Sequence, residues 1–147
     1  ERESTDQDGA IIADGGRFGG WSVFIRGNRL HYTTNNFGDR CRVSSPASIP
    51  PGAVTLRADV VRTGGDEGRV RFYVDDEPSG EGVLSPFRQY NFVNEPLDVG
   101  RDSQTPVDDL YESPFVFEGT IVDVVIEAFG EEVVDYEVLL DELMGSQ

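Results

Sequence analysis

The chain has 147 residues, of which 37% are hydrophobic and 10% aromatic, enough for one domain with a core of its own. It has 28 acidic and 12 basic residues, which give a formal net charge of −16, and all the basic residues are arginine. Nucleic acid and anionic membrane surfaces would repel so acidic a chain, so neither is expected as a general partner.

The acidity itself has two explanations. One is an ordinary solvated surface that keeps the protein soluble, and the other is adaptation to high salt, although a GC-rich genome also favours arginine over lysine. Refolding in molar salt after unfolding in low salt would support the second. Cys41 is the only cysteine, so an intramolecular disulfide is excluded and a packing role is expected for it.

The order of patterns along the chain divides it into three parts. Residues 1–8 are polar and without periodicity, which predicts a terminal arm or a linker. Residues 9–130 have the alternation and turn signals of β-strands. Residues 131–147 change to a helical period, with Asp135 as the predicted N-cap and Gly145 as the predicted end of a short acidic helix.

The stretch from Gly15 to Ile25 places four glycines directly before an alternating strand that holds the only tryptophan, Trp21. Glycines at this density suit a tight turn or a close approach of two backbones. After them Trp21, Val23 and Ile25 share one face of the strand, and Phe24 is the apolar exception on the polar face. Gly27-Asn28 then predicts a two-residue hairpin.

The later strands follow the same reasoning. A long hairpin is predicted from Val54 to Val74 around a Gly-rich tip, with a turn at Asp75-Asp76 and a weaker strand after it. A short, buried strand is predicted at 97–101, and the last long strand at 115–129. About nine strands and one terminal helix predict an all-β antiparallel sandwich.

Enzyme motifs are scarce. His31 is the only histidine and lies mid-strand, so a catalytic triad is not expected and His31 is interpreted as structural. One histidine and one cysteine are too few for a zinc site. Paired carboxylates able to hydrolyse a glycoside arise by chance among 28 acidic residues, and the sequence singles out none of them.

A calcium ion is a better candidate than zinc, because oxygen-bearing side chains that could coordinate it are concentrated around the long polar loop at 102–114. The candidate ligands are Asp98, Asp102, Asp108 and Asp109. The alternative is that these carboxylates are solvated or pair with Arg101.

Arg17 and Arg101 each lie in a Gly-containing turn, where a guanidinium can clamp a carboxylate; ion pairs that hold loops together are the ordinary outcome. Sugar stacking on Tyr73, Phe37 or Tyr90 is the alternative to plain packing of these aromatics.

Five stretches match a known family: Asp-Gly-Gly-Arg-Phe-Gly-Gly-Trp-Ser-Val-Phe-Ile (14–25), Asn-Arg-Leu-His-Tyr (28–32), Asn-Asn-Phe-Gly (35–38), Leu-Asp-Val-Gly-Arg-Asp-Ser-Gln-Thr-Pro-Val (97–107) and Ser-Pro-Phe-Val-Phe-Glu-Gly-Thr-Ile (113–121). Over residues 9–129 they resemble the C-terminal β-sandwich domain of bacterial arylsulfatases. The resemblance implies a concanavalin A-like jelly roll. It does not imply catalysis, because Cys41 is followed by Arg-Val-Ser-Ser instead of the Cys-x-Pro-x-Arg motif of the sulfatase active site.

The function expected from this resemblance is that of a non-catalytic accessory domain that docks on a sulfatase catalytic domain or shapes its substrate entrance. The alternatives are a carbohydrate-binding module whose partner is a glycan and, third, an independent hydrolase. Arg17, Trp21 and Arg101 are the predicted interaction residues. The Gly-rich stretch and the stretch at 98–102 are predicted to meet, with Arg17 or Arg101 bound to a carboxylate across the sandwich.

Overall fold

The computed structural model describes residues 1–87, 93–129 and 145, and residues 1–87 and 93–129 contain eight β-strands and no helix. The strands are β1 (Gly9–Gly16), β2 (Gly19–Arg26), β3 (Arg29–Asn36), β4 (Asp39–Ser44), β5 (Leu56–Gly64), β6 (Glu67–Val74), β7 (Glu77–Leu84) and β8 (Leu97–Val99). They form a five-stranded sheet in the order β4-β3-β2-β1-β8 and a three-stranded sheet in the order β5-β6-β7, with antiparallel pairing throughout. The all-β prediction is confirmed for these residues.

Two of the predicted hairpin turns are confirmed by backbone angles. Gly27 and Asn28 have φ values of 61° and 60° between β2 and β3, and Asp75 and Asp76 have φ values of 49° and 65° between β6 and β7. Positive φ at both central residues gives a turn whose twist matches that of the flanking strands. Asn and Asp tolerate this conformation better than most residues, which is why the sequence signal was readable.

The glycines of the opening motif lie inside the strands β1 and β2, on either side of a two-residue turn at Arg17-Phe18. Gly15 pairs with Gly20 across the ladder. A Cβ atom on Gly20 would lie 1.9 Å from the Asp14 carbonyl oxygen, so the two backbones approach closer than any side chain permits. Close backbone approach, one of the two predicted roles, is therefore the role of Gly15 and Gly20.

The main hydrophobic core lies between the two sheets. Its buried members from the five-stranded sheet and from the three-stranded sheet include Ile25, Leu30, Tyr32, Val43, Val70, Phe72 and Leu84. β4 and β7 pack together at a glycine, where a Cβ atom on Gly82 would lie 2.5 Å from Cγ1 of Val43. The arrangement is that of a β-sandwich, with one inner face contributed by each sheet.

The outer face of the five-stranded sheet is covered by residues 101–115. Phe24, the apolar exception on that face, is fully buried there, with its ring 4.9 Å from the ring of Tyr111 and 6.2 Å from that of Phe115. Ala10 completes this second, smaller core. Phe24 therefore points away from the main core because the long loop supplies another one.

The prediction of a last long strand at 115–129 is wrong. Within this stretch the structure has only an isolated bridge between Val116 and Ala10, and Val122 and Ile126 remain 85% and 58% exposed. Phe115 and Phe117 donate their backbone N–H groups to Asp102 and Gly100, so this chain follows the long loop instead of joining a ladder. The period-two pattern is real, but beyond the bridge at Val116 no described residue of this stretch pairs in a ladder.

Three other expectations concern the ends of the chain and β8. Residues 1–8, expected as an arm or linker, contact the sandwich: Arg2 is 3% exposed and donates to the carbonyl oxygen of Ile49 and to Oδ1 of Asn28. β8, expected to be buried, is an edge strand with exposed Leu97 and Val99, which corrects that prediction.

The predicted helix at 131–147 lies outside the described residues. Among the described residues, none belongs to a helix with the length and hydropathy needed to span a membrane.

Candidate functional site

The two motif stretches do meet in space, as predicted. β8 pairs with β1, which places Asp98 opposite Ala13 and Leu97 opposite Asp14. β1 continues from there into the Gly-rich turn, and β8 continues into the long loop. The prediction that the stretches are neighbours is confirmed by this register.

The contact between them is made by backbone and hydroxyl groups. The Arg17 backbone N–H donates to the Thr105 hydroxyl oxygen at 2.9 Å, and the Thr105 backbone N–H donates to the Glu95 carboxylate at 3.2 Å. The Thr105 hydroxyl donates to the same carboxylate. Gly16 makes room for this group, since a Cβ atom there would lie 2.2 Å from Oε2 of Glu95. We call Gly16, Arg17, Glu95 and Thr105 the turn clasp.

The side chains of Arg17, Trp21 and Arg101 contact neighbours close by. The prediction that Arg17 or Arg101 binds a carboxylate across the sandwich is wrong. The Arg17 guanidinium lies 4.7 Å from the centre of the Phe18 ring, beside it in the chain. Arg101 Nε lies 3.5 Å from a carboxylate oxygen of Asp98, within the same turn. The half-buried Trp21 stacks on Tyr32 at 6.3 Å between ring centres, on the side of the main core.

Asp102 is the buried centre of the long loop. Its Oδ2 accepts hydrogen bonds from the Tyr111 hydroxyl at 2.5 Å and from the Val107 backbone N–H at 3.0 Å. The Ser22 hydroxyl of β2 lies 3.3 Å from the Tyr111 hydroxyl, which joins this network to the sheet. Burial raises the pKa of Asp102, and the bond from Tyr111 opposes part of that rise. The network therefore fixes the loop on the sheet at the cost of desolvating a carboxyl group.

Arginines of β4 hold the other half of the loop. Arg42 donates to Oδ1 of the fully buried Asp108 at 2.5 Å and lies 3.5 Å from the exposed Asp109. Arg40 donates through Nε to the Val107 carbonyl oxygen at 3.0 Å. Oδ2 of Asp108 has no hydrogen-bond partner among the described residues. The ion pair with Arg42 supplies the charge compensation that a buried carboxylate requires.

Three of the four predicted calcium ligands are bound to different donors, and the fourth, Asp109, lies beside Arg42, which already pairs with Asp108. Asp98 accepts from Ser103, Asp102 from Tyr111, and Asp108 from Arg42. Within residues 1–87 and 93–129, no three His, Cys, Asp or Glu side chains are grouped closely enough to hold a metal ion. Calcium binding by Asp98, Asp102, Asp108 and Asp109 stays a prediction, and it would require these carboxylates to exchange their present donors for the ion.

His31 has the environment of a structural residue. Its Nδ1 lies 2.7 Å from the Ser44 hydroxyl and its Nε2 lies 2.9 Å from the Arg26 carbonyl oxygen, so Nε2 carries the proton and Nδ1 accepts. Its ring stacks on Phe24 at 4.8 Å. Burial lowers the pKa of His31, which keeps the ring neutral.

The three-stranded sheet differs from the five-stranded sheet because its outer face is exposed. We call this surface the open face; its side chains alternate with those of the main core and are Arg57, Asp59, Val61, Arg69, Arg71, Tyr73, Glu81 and Val83. The Arg57 guanidinium lies 3.9 Å above the Tyr73 ring and pairs with Asp59 at 3.2 Å. Arg71 pairs with Glu81, also at 3.2 Å.

A shallow cavity of about 330 Å³ lies on the open face where the β6–β7 register shifts between Phe72 and Tyr73. Its lining includes Tyr73, Pro78 and the Arg71–Glu81 pair. The cavity therefore has the rings of Tyr73 and Pro78 beside a hydrogen-bond donor, Arg71, and an acceptor, Glu81. An aromatic ring beside polar groups can hold a ring-shaped polar ligand.

Sequence reasoning missed the residues that organise the loop, namely Arg42, Glu95, Thr105 and Tyr111. Arg40 and Arg42 gave a usable signal, since two arginines at alternate positions of one strand face the same side. Glu95, Thr105 and Tyr111 gave none, because their partners are distant in sequence. Tyr90 of the predicted aromatics lies outside the described residues.

No protein-family model matches the sequence, and comparisons with curated proteins and with solved structures gave no significant match. The arylsulfatase resemblance therefore stays a prediction that depends on the motifs alone.

Proposed function

We propose that this chain is a non-catalytic accessory domain of a sulfatase-like enzyme, with a concanavalin A-like jelly roll, which docks on a catalytic domain through the open face. The motif resemblance over residues 9–129 supports the choice of partner. The pairing of β1 with β8 supports it further, because it brings the two most specific motifs side by side.

The observation that carries the docking proposal is the difference between the two sheets. The five-stranded sheet has the other sheet on one face and residues 101–115 on the other. The open face of the three-stranded sheet instead leaves Val61 and Val83 59% and 54% exposed. The two valines flank Arg69 across the strands, and apolar side chains around an arginine on an uncovered sheet face fit a surface that a partner covers.

The composition of the open face also fits an interface. Arginine and tyrosine are enriched where proteins meet, and Arg57 and Tyr73 already form a stacked pair. Arg57 and Arg71 have carboxylate partners on the same surface, so docking would not bury them as isolated charges. Arg69 on β6 is exposed between Val61 of β5 and Val83 of β7, and it can bind a carboxylate of the partner.

The test is a titration of this chain with a sulfatase catalytic domain from the same genome, followed by calorimetry. Wild-type chain is expected to bind, and Val83→Asp and Arg69→Glu are each expected to weaken binding about tenfold, or about 1.4 kcal/mol. Arg29→Glu, in the exposed first position of β3, is the matched control and is expected to leave Kd unchanged. Absence of binding, or equal loss in the control, would contradict the proposal.

The second candidate function is carbohydrate binding, favoured by the shallow cavity at Tyr73. A glycan array is expected to give a ligand whose binding is lost in Tyr73→Ala and in Glu81→Gln. Phe18→Ala, at an aromatic that is 44% exposed in the turn between β1 and β2 of the other sheet, is the control. Binding that the cavity variants leave intact would exclude this site.

A further inference from the structure

The smaller sheet ends in a free edge at β5. β5 pairs with β6 on one side, and no strand among the described residues pairs with it on the other. Burial also decreases there. Val70 and Phe72 of β6 are fully buried, but their partners in the ladder, Val60 and Ala58, are only half-buried. Such an edge presents backbone N–H and C=O groups that an extended chain can bind.

The main core is incomplete on the same side of the sandwich. β7 packs on β4 at Gly82, and β5 and β8 are the strands farthest from that contact in the two sheets. Val99 of β8 lies opposite Ile12, which lies opposite Val23 of the main core, so Val99 is on the core side of its sheet. Leu97 shares that side, and the two side chains are 52% and 48% exposed. A further strand beside β5 would extend the smaller sheet toward them.

Residues 122–128 alternate like a strand but form no ladder with any described residue. We call them the donor segment. Val122 and Ile126, on its apolar side, are 85% and 58% exposed. In its own chain the start of the segment lies beside Val99 and Phe117, where it lines an open cavity of about 530 Å³. An extended segment of this kind can complete its backbone pairing by adding to the sheet edge of another molecule.

An antiparallel alignment of the donor segment on β5 matches large side chains with small ones on the core side. It places Ile126 opposite Ala58. The next pair on the same side is Ala128 with Leu56. Side chains directly opposite in such a ladder are close enough to pack on one another. Each pair combines one small and one large apolar side chain, so the added strand continues the core side of β5.

Charge selects this register on the outer side. The alignment places Arg57 opposite Glu127, and Asp59 then lies opposite Val125. A shift of two residues is the smallest that keeps every side chain on its face. Such a shift places Asp59 opposite Asp123 in one direction and opposite Glu127 in the other. Like charges directly opposite each other are unfavourable, so both shifted registers are disfavoured.

We propose that the donor segment of one copy of this chain adds to the β5 edge of a second copy as an antiparallel strand, with Ile126 opposite Ala58 and Glu127 opposite Arg57. Exchange in both directions gives a two-fold dimer with two such ladders. The net charge of −16 on each copy opposes association, so the dimer strengthens as salt screens the repulsion. The ladder uses the edge of the smaller sheet and does not depend on docking through the open face.

The test is sedimentation equilibrium of the full chain in about 0.5 M sodium chloride, where the Debye length is about 4 Å. Wild type is expected to dimerise. Ile126→Asp changes an exposed residue of the monomer and is expected to raise the dimer Kd at least about tenfold, because the dimer would bury the new carboxylate. Val83→Asp, on β7, is the matched control and is expected to leave this Kd unchanged. Because Val83→Asp is also the variant that weakens docking through the open face, the two proposals fail separately.

Charge reversal tests the register. Arg57→Glu is expected to weaken the dimer, because it places two carboxylates opposite each other. Adding Glu127→Arg to the same chain is expected to restore the wild-type Kd. Loss of the dimer in both variants would overturn the pairing.

A cross-link keeps the test decisive if a variant changes the fold. In a Cys41→Ser background, a copy with Ala58→Cys is mixed with a copy with Ile126→Cys and oxidised. Opposite residues have Cβ atoms about 4.5–5.5 Å apart, close to the span of a disulfide, so a cross-linked heterodimer is expected. Val83→Cys in place of Ile126→Cys is the control. A wild type that stays monomeric, or a cross-link that forms only when one chain carries both cysteines, would overturn the proposal.

Discussion

The Tyr111 hydroxyl donates a 2.5 Å hydrogen bond to the carboxylate of Asp102, and both side chains are buried between the long loop and the five-stranded sheet. This bond is the link between the second core, where Tyr111 packs on Phe24, and the polar interior of the loop. The long loop is held in place because Val107 and Tyr111, which belong to the loop itself, donate hydrogen bonds to the Asp102 carboxyl group.

Tyr111→Phe keeps the ring packing and removes the hydroxyl. The Asp102 carboxylate then keeps the Val107 backbone N–H as a donor and loses its strongest one, so we expect the free energy of unfolding to fall by about 1–3 kcal/mol. Urea unfolding measures the change. Tyr73→Phe, on the open face, is expected to change stability by less than about 0.5 kcal/mol. Equal small effects at both positions would contradict the role of the bond.

The pH dependence of stability follows from two aspartates with opposite pKa shifts. Burial raises the pKa of Asp102, so its protonated form is favoured in the folded protein, and its stabilising contribution is lost as pH rises through the folded pKa. Hydrogen bonds from Ser103 lower the pKa of Asp98, so its contribution is lost as pH falls through the folded pKa.

Unfolding free energies of wild type, Asp102→Asn and Asp98→Asn, measured between acidic and neutral pH, test these signs. The advantage of wild type over Asp102→Asn is expected to shrink as pH rises through the raised pKa. Its advantage over Asp98→Asn is expected to grow as pH rises from the lowered pKa to the unfolded value. Slopes of the same sign for both variants would refute the assignment.

Gly82 permits β7 to approach β4. Gly82→Ala places a methyl group 2.5 Å from Cγ1 of Val43, and such overpacking is expected to cost about 1–3 kcal/mol. Val43→Ala removes the opposing methyl groups, so the double variant is expected to recover part of the loss, with a coupling energy of about 0.5–3 kcal/mol. Additive effects in thermal or urea unfolding would show that the two residues do not limit the approach.

Calcium is tested by melting. Since Asp98, Asp102 and Asp108 already accept hydrogen bonds from the protein, we expect millimolar calcium chloride to raise Tm no more than sodium chloride of equal ionic strength. A larger rise that is lost in Asp109→Asn would show that the loop rearranges around the ion. That result would support the prediction that the four aspartates bind calcium.

The hairpins were predictable because their signals are local. Gly27-Asn28 and Asp75-Asp76 specify their turns through positive φ at adjacent residues, and the strands beside them alternate. The covering of Phe24 was not predictable, because its partners Tyr111 and Phe115 are distant from it in the sequence. Periodicity predicts which face a residue points to, and only tertiary contacts decide whether that face is buried.

The stretch at 115–129 shows the opposite failure. Its alternation satisfies the pattern of a strand, but a strand also requires a partner edge, which the sequence pattern does not contain. The backbone pairs of Phe115 with Asp102 and of Phe117 with Gly100 direct the chain elsewhere. The juxtaposition of the Gly-rich stretch with 98–102 was predicted from motif pairing, while the turn clasp that joins them involves a glutamate and a threonine without a sequence signal.

Because residues 101–115 cover the five-stranded sheet, we expect this segment and the sheet beneath it to open at two different free energies. Side-chain contacts such as Arg42 to Asp108 fasten this segment, whereas the strands beneath it are joined by backbone ladders. Segments held in this way open at lower free energy than the ladders they cover. We therefore expect this segment to detach and expose the Phe24 ring to water while β2 and β3 stay paired, and amide exchange would record this partly open state before global unfolding.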